Sequence, residues 1–126
     1  MPTSVLLSIK PKFANAILEG TKTFELRRAV FRRSSVRKVI IYASSPVSRV
    51  VGEFLIDSIL ELEPKKLWQV TAKGAGVDRH FFDDYFRGRK TGFALKVHRP
   101  RRYPKPLGLS EHFRLLRPPQ SFCYLA

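Results

Sequence analysis

Gly20-Thr21-Lys22-Thr23-Phe24-Glu25-Leu26-Arg27 is the stretch that decides how this chain is organised. Glycine adopts the left-handed backbone that ends a helix, so Gly20 turns the chain out of one element and into the next. Alternation then sends Phe24 and Leu26 to one side of a strand and Glu25 and Arg27 to the other. Glu25 and Arg27 share a face and can pair, with Lys22 just before them near the turn. A carboxylate flanked by two cations at the mouth of a sheet suits a base edge at Glu25, with phosphates on Lys22 and Arg27. On spacing alone, a salt-bridged solvent face accounts for the same residues.

Working outward, residues 4–10 carry Val5, Leu6, Leu7 and Ile9 and read as a strand. Pro11 sits where a helix can begin, and Phe13, Ala14, Ala16, Ile17 and Leu18 give it an apolar face up to Gly20. Beyond the octapeptide come a basic loop over residues 32–37 and a buried strand over 39–43. A long strand follows over 50–62, with Gly52 marking a bulge or bend. Pro64 opens a helix through Leu67, Trp68 and Val70, where Trp68 packs it onto the sheet. Asp78 is placed to cap a second helix bearing Phe81, Phe82, Tyr85 and Phe86, whose helical spacing reads as core. Residues 91–97 form another alternating strand. Pro100, Pro104 and Pro106 break the following segment into an extended arm, and residues 122–125 form a last strand. The order β-α-β-β-β-α-α-β-β suits a small mixed or closed sheet with helices at its ends, not a doubly wound fold.

The whole chain, 126 residues with 44% hydrophobic content, is of a size and composition to build one domain with a real core. One cysteine, Cys123, excludes an internal disulfide and a multi-thiolate zinc site. His80, His98 and His112 are too scattered for a metal motif, so neither metal nor cofactor is expected. No apolar run approaches the roughly 18 residues of a membrane helix. Met1-Pro2-Thr3-Ser4 lacks a basic segment leading into an apolar one, which points to the cytoplasm.

Twenty-four Lys+Arg against ten Asp+Glu give a formal charge of +14, which calls for a polyanionic partner, nucleic acid before membrane. Seven basic residues fall within 22–38 and eight within 87–105. Glu53, Asp57, Glu61 and Glu63 lie between, so a positive face and a neutral or negative back are expected. Ser8, Lys10 and Lys12 end the first strand close to the octapeptide. Phe31 stands among Arg27, Arg28, Arg32 and Arg33, and Tyr42 ends a strand near Ser44, so these two rings are the candidates for stacking a base. Arg99, Arg101, Arg102 and Lys105 form a proline-braced surface for tracking phosphates.

The pattern Gly-x-Lys-x-x-Glu-x-Arg, matched by Gly20, Lys22, Glu25 and Arg27, resembles that of ASCH domains, which are related to the PUA domain. The resemblance extends to Leu7-Ser8-Ile9-Lys10-Pro11-Lys12-Phe13-Ala14, to Tyr42-Ala43-Ser44-Ser45-Pro46 and to Pro118-Pro119-Gln120-Ser121-Phe122. It implies a mixed α/β, mainly β, PUA-like small barrel with short flanking helices, and a cleft near the motif suited to RNA more than DNA. Some relatives of this type are hydrolases, one branch acting on N4-acetylcytidine and another described as a ribonuclease. In the amidohydrolase branch the motif lysine and a threonine three residues later are catalytic. Lys22 matches that lysine, but Glu25 occupies the threonine position and Thr23 is the nearest hydroxyl. The leading expectation is therefore nucleic-acid binding. A hydrolase using Lys22, Glu25 and Thr23 is the alternative, and a basic module that docks on an acidic protein is a third.

Overall fold

The computed structural model describes residues 3–125, so Met1 and Pro2 of the opening stretch lie outside the described residues. The elements run β1 (Ser4–Ile9), α1 (Pro11–Glu19), β2 (Phe24–Arg27), β3 (Lys38–Ala43), β4 (Arg49–Leu62), α2 (Pro64–Thr71), α3 (Arg79–Tyr85), β5 (Gly92–Leu107), α4 (Leu109–Phe113) and β6 (Phe122–Leu125). This is the expected order with α4 added; at five residues it is too short to show a helical period. Pro11 opens α1, and Gly20 at φ 89° closes it, its N–H donating to Ile17. At α3 the Asp78 carboxylate accepts the Phe81 N–H at 2.8 Å, as its capping position requires.

The six strands form one mixed sheet in the order β2-β5-β4-β3-β1-β6. β1 runs parallel to β3, and the other neighbours are antiparallel. Both faces of β1 are buried: Val5, Leu7 and Ile9 join Ala14, Ile17 and Phe54 under α1, while Leu6 joins Ile40, Tyr42 and Val50 on the opposite side. A further cluster forms where Leu26 meets Leu67 of α2, Phe82 of α3 and Phe86 just after it, with Phe24 packed against it. The sheet curls until its ends approach each other. Side chains then join them, for Arg27 on the β2 edge reaches Ser8 of β1 and Ser121 just before β6.

Two expectations change. Residues 99–105 are not a separate arm but part of the sixteen-residue strand β5, which pairs with β4 through Arg101 and Arg102 here and again at Leu107. The prolines are accommodated because the β4–β5 register shifts at three places, and Arg99 at φ 49° sits at one of these irregularities. Gly52 marks another: a Cβ there would lie 2.6 Å from the Arg101 carbonyl and 2.7 Å from Leu18, so only glycine fits between β5 and α1. The second change concerns charge. Two acids of β4, Glu53 and Asp57, do not stand alone, because β3 and β5 bring cations across to them. Glu53 pairs with Arg101 at 3.0 Å and Lys38 at 3.6 Å, and Asp57 with Lys96 at 3.6 Å. The Tyr103 hydroxyl also donates to Glu53, and burial together with that bond holds its proton on well above the usual phenol range.

Candidate nucleic-acid interface

The end of β1, the start of α1, strand β2 and helix α3 surround a cleft of about 530 Å³. Of the residues singled out in the sequence, Ser8, Lys10, Lys22, Glu25, Arg27 and Arg28 line it. Phe13, Phe81, Tyr85, Gln120 and Ser121 complete much of the rest.

Lys22 lies at the inner end and is only 2% exposed. The residues between α2 and α3 are built onto it. Its ammonium donates to the Ala75 carbonyl, while the Thr23 and Phe24 amides donate to the Gly74 carbonyl at 2.8 and 3.1 Å. At Gly76, with φ 69°, a Cβ would stand 2.8 Å from the Lys22 stem, so this loop closes over the lysine only with glycine there. Burial pushes the Lys22 pKa below that of an ordinary lysine, and the nearby Glu25 carboxylate partly opposes the shift.

Glu25 is 5% exposed, and its Oε2 accepts from Arg27 Nη1 at 3.1 Å. The same guanidinium donates to the Ser8 carbonyl at 3.4 Å, the Ser121 hydroxyl at 2.5 Å and the Ser121 carbonyl at 3.3 Å. Arg27 is thus committed to closing the sheet and holding Glu25. With Lys22 buried against Ala75, neither cation of the octapeptide is free to meet a phosphate as expected. The exposed cations on the cleft are Lys10 and Arg28.

One wall is aromatic. Phe13 meets Phe81 edge-on at 5.5 Å, and Phe81 and Tyr85 stack with centroids 6.2 Å apart and planes 17° from parallel. Arg28 lies 4.6 Å over the Tyr85 ring, whose hydroxyl donates to the Leu26 carbonyl at 3.3 Å. The expectation that these rings are mostly core holds for Phe82 and Phe86; Phe81 is exposed on the cleft, and Tyr85 both lines the cleft and packs against the cluster of Phe82 and Phe86. One residue is about 100° of helix, so the 81/85 pair faces the cleft while the 82/86 pair faces the sheet.

The remaining candidates lie elsewhere. Phe31 and Tyr42, each 5% exposed, are core residues and offer no face to a base. Phe31 packs edge-on to Phe122, and Tyr42 lies with Leu6 and Val50. Thr23 is off the cleft, its hydroxyl against Gly74. Arg32 and Arg33 gather at Tyr124, whose hydroxyl accepts their backbone amides at 3.0 and 3.3 Å. Arg102 donates to Asn15, and Lys12, Ser44, Arg99 and Arg101 do not line the cleft. The pairing of Phe81 with Tyr85 was open to recognition from their four-residue spacing. Nothing local marked Ser121, which reaches the site only because β6 joins β1.

The ASCH domain profile matches residues 7–101. A protein of Zymomonas mobilis named ASCH domain-containing ribonuclease is 33% identical over 122 residues, covering 95% of this chain and 82% of that one. The crystal structure of ASCH from Zymomonas mobilis is similar at a TM-score of 0.91 and 28% identity, covering 98% of this chain and 88% of the other. The N-terminal domain of Staphylothermus marinus McrB shares the fold alone, with a TM-score of 0.55 at 15% identity over 92% of this chain and 82% of the other.

Proposed function

The chain belongs to the ASCH domain family, and on that premise we propose that it is a cytoplasmic RNA-binding module, one domain over residues 1–126, whose cleft takes an unpaired or modified base at Glu25. The observation that carries this reading is the setting of that carboxylate. Arg27 holds Oε2, while Oε1 takes no hydrogen bond among the described residues and is left as an acceptor beside an aromatic wall. A fixed acceptor suits the exocyclic amino group of a base, and the aromatic wall suits its face. Lys10 and Arg28 stand on the cleft where a backbone phosphate would pass. The relative named a ribonuclease supports RNA over DNA.

Fluorescence anisotropy with a mixed-sequence single-stranded RNA tests the reading. Affinity is expected to fall steeply with salt. Glu25→Gln turns an acceptor into a mixed donor and acceptor, and should weaken binding by about tenfold, a loss of ~1–2 kcal/mol. Absence of binding to any RNA or DNA pool at low salt overturns it.

RNA hydrolysis is a second reading, favoured by one observation: Lys22, its pKa lowered by burial, lies in the cleft with Glu25. Glu25 would take the proton of an attacking hydroxyl, and the buried Lys22 would act on that carboxylate through its charge rather than on the phosphate. Deacylation of N4-acetylcytidine has less support, since Glu25 stands where a threonine is required and Thr23 is off the cleft. Cleavage of labelled RNA that is lost in folded Lys22→Ala supports the hydrolase; cleavage that persists in both Lys22→Ala and Glu25→Gln removes this site from the chemistry.

A further inference from the structure

Beside the motif cleft lies a second, shallower hollow of about 500 Å³. Lys10, Arg28, Phe81 and Tyr85 line both spaces and therefore form the ridge between them. The ridge has two kinds of chemistry. Its body is the stacked Phe81–Tyr85 pair, and Arg28 lies across the Tyr85 face at 4.6 Å. The far hollow has a different lining, Asp78, His80 and Asp84. Asp78 is already engaged at the start of α3, and Asp84 meets Arg87 and His80, so the carboxylates are fixed in place.

The signs of these charges order what can bind. Asp84 is paired with Arg87, so Asp78 is the carboxylate that disfavours a phosphate on the α3 side of the hollow, while Lys10 and Arg28 attract one to the ridge. A base and its ribose carry the donors, amino groups and the 2′-hydroxyl, that suit carboxylate acceptors, and a base also has the flat face that suits Phe81 and Tyr85. We propose that the site holds two successive nucleotides of a single strand. One base lies in the motif cleft, its neighbour lies in the hollow beside α3, and the phosphate that links them rests on Lys10 and Arg28. Duplex is excluded, since the two bases lie on opposite sides of an aromatic ridge and neither edge remains for a partner strand.

The proposal rests on the RNA-binding reading, and one competition experiment separates the two. A labelled mixed-sequence RNA twelve-mer is displaced by three unlabelled pools: nucleoside 5′-monophosphates, mixed dinucleotides and mixed trinucleotides. The dinucleotides are expected to compete about tenfold better than the monophosphates, within the range one stacked base contributes, with a smaller gain from the third nucleotide. Arg28→Gln removes the ridge cation, and Phe81→Leu removes a ring while keeping apolar bulk. Each should reduce the dinucleotide advantage several-fold while the variants keep wild-type thermal transitions. If the twelve-mer binds but dinucleotides compete no better than monophosphates, or both variants keep the full advantage, the two-nucleotide site is wrong and the RNA-binding reading stands. If the twelve-mer itself does not bind at low salt, both fall.

Discussion

At position 22 an amine sits almost without water, and its position explains much of the loop around it. The Lys22 stem fills the space that a side chain at Gly76 would need, and its ammonium is held by the Ala75 carbonyl. Burial disfavours the charged form, so the folded-state pKa lies below 10.5. Between the lowered value and 10.5 the unfolded chain binds more protons at this position than the folded one, so stability due to Lys22 rises with pH across that window. Below the window the full cost of the buried charge remains. Lys22→Met keeps the stem and removes the titration. Urea unfolding of both proteins from neutral pH upward should therefore show wild type gaining on Lys22→Met as pH climbs toward 10.5. A pH-independent difference would mean that the amine stays protonated in both states. Arg27 shows the complementary case: its guanidinium joins Glu25, Ser8 and Ser121, a geometry that the single ammonium of lysine cannot reproduce.

Helix α3 divides its aromatic residues between two duties. Phe82 is fully buried and packs against Trp68 and Phe86, whereas Phe81 is 37% exposed on the cleft wall. Phe82→Ala leaves a cavity and should cost about 3–5 kcal/mol of stability in chemical denaturation. Phe81→Ala should cost well under half of that and act mainly on RNA affinity; equal stability losses would place both rings in the core. The helix itself was legible in the sequence from Asp78 and the apolar spacing. Its second face was not, because periodicity reports that a residue is apolar without saying whether its neighbour is a sheet or a cleft. β5 shows the reverse limit. Three prolines read locally as a broken segment, yet β4 pairs with it through Arg101 and Arg102 and again at Leu107, and the shifted register accommodates them.

Over the whole molecule, the +14 charge is distributed by pairing rather than by sequence order. Arg101 belongs to the second basic block but faces Glu53 across the strands, while Lys10 has an exposed place on the cleft. Lys10→Gln should reduce the salt dependence of RNA binding by about one phosphate contact, ~0.7 in log–log slope for a single strand, while Arg101→Gln leaves it close to wild type. Anisotropy titrations over a series of salt concentrations measure both slopes, and equal reductions would argue for a diffuse basic surface. By itself the sequence determined the element order, the caps at Gly20 and Asp78, and the octapeptide with Glu25 and Arg27 on one face. These depend on turn chemistry and on periods of a few residues. Only the tertiary structure decided that Lys22 is buried, that Tyr42 and Phe31 are core, and that Phe81 and Tyr85 form a wall. Those outcomes depend on closing the sheet, where Arg27 meets Ser121 across 94 positions of chain, and no local pattern encodes which distant strand will arrive.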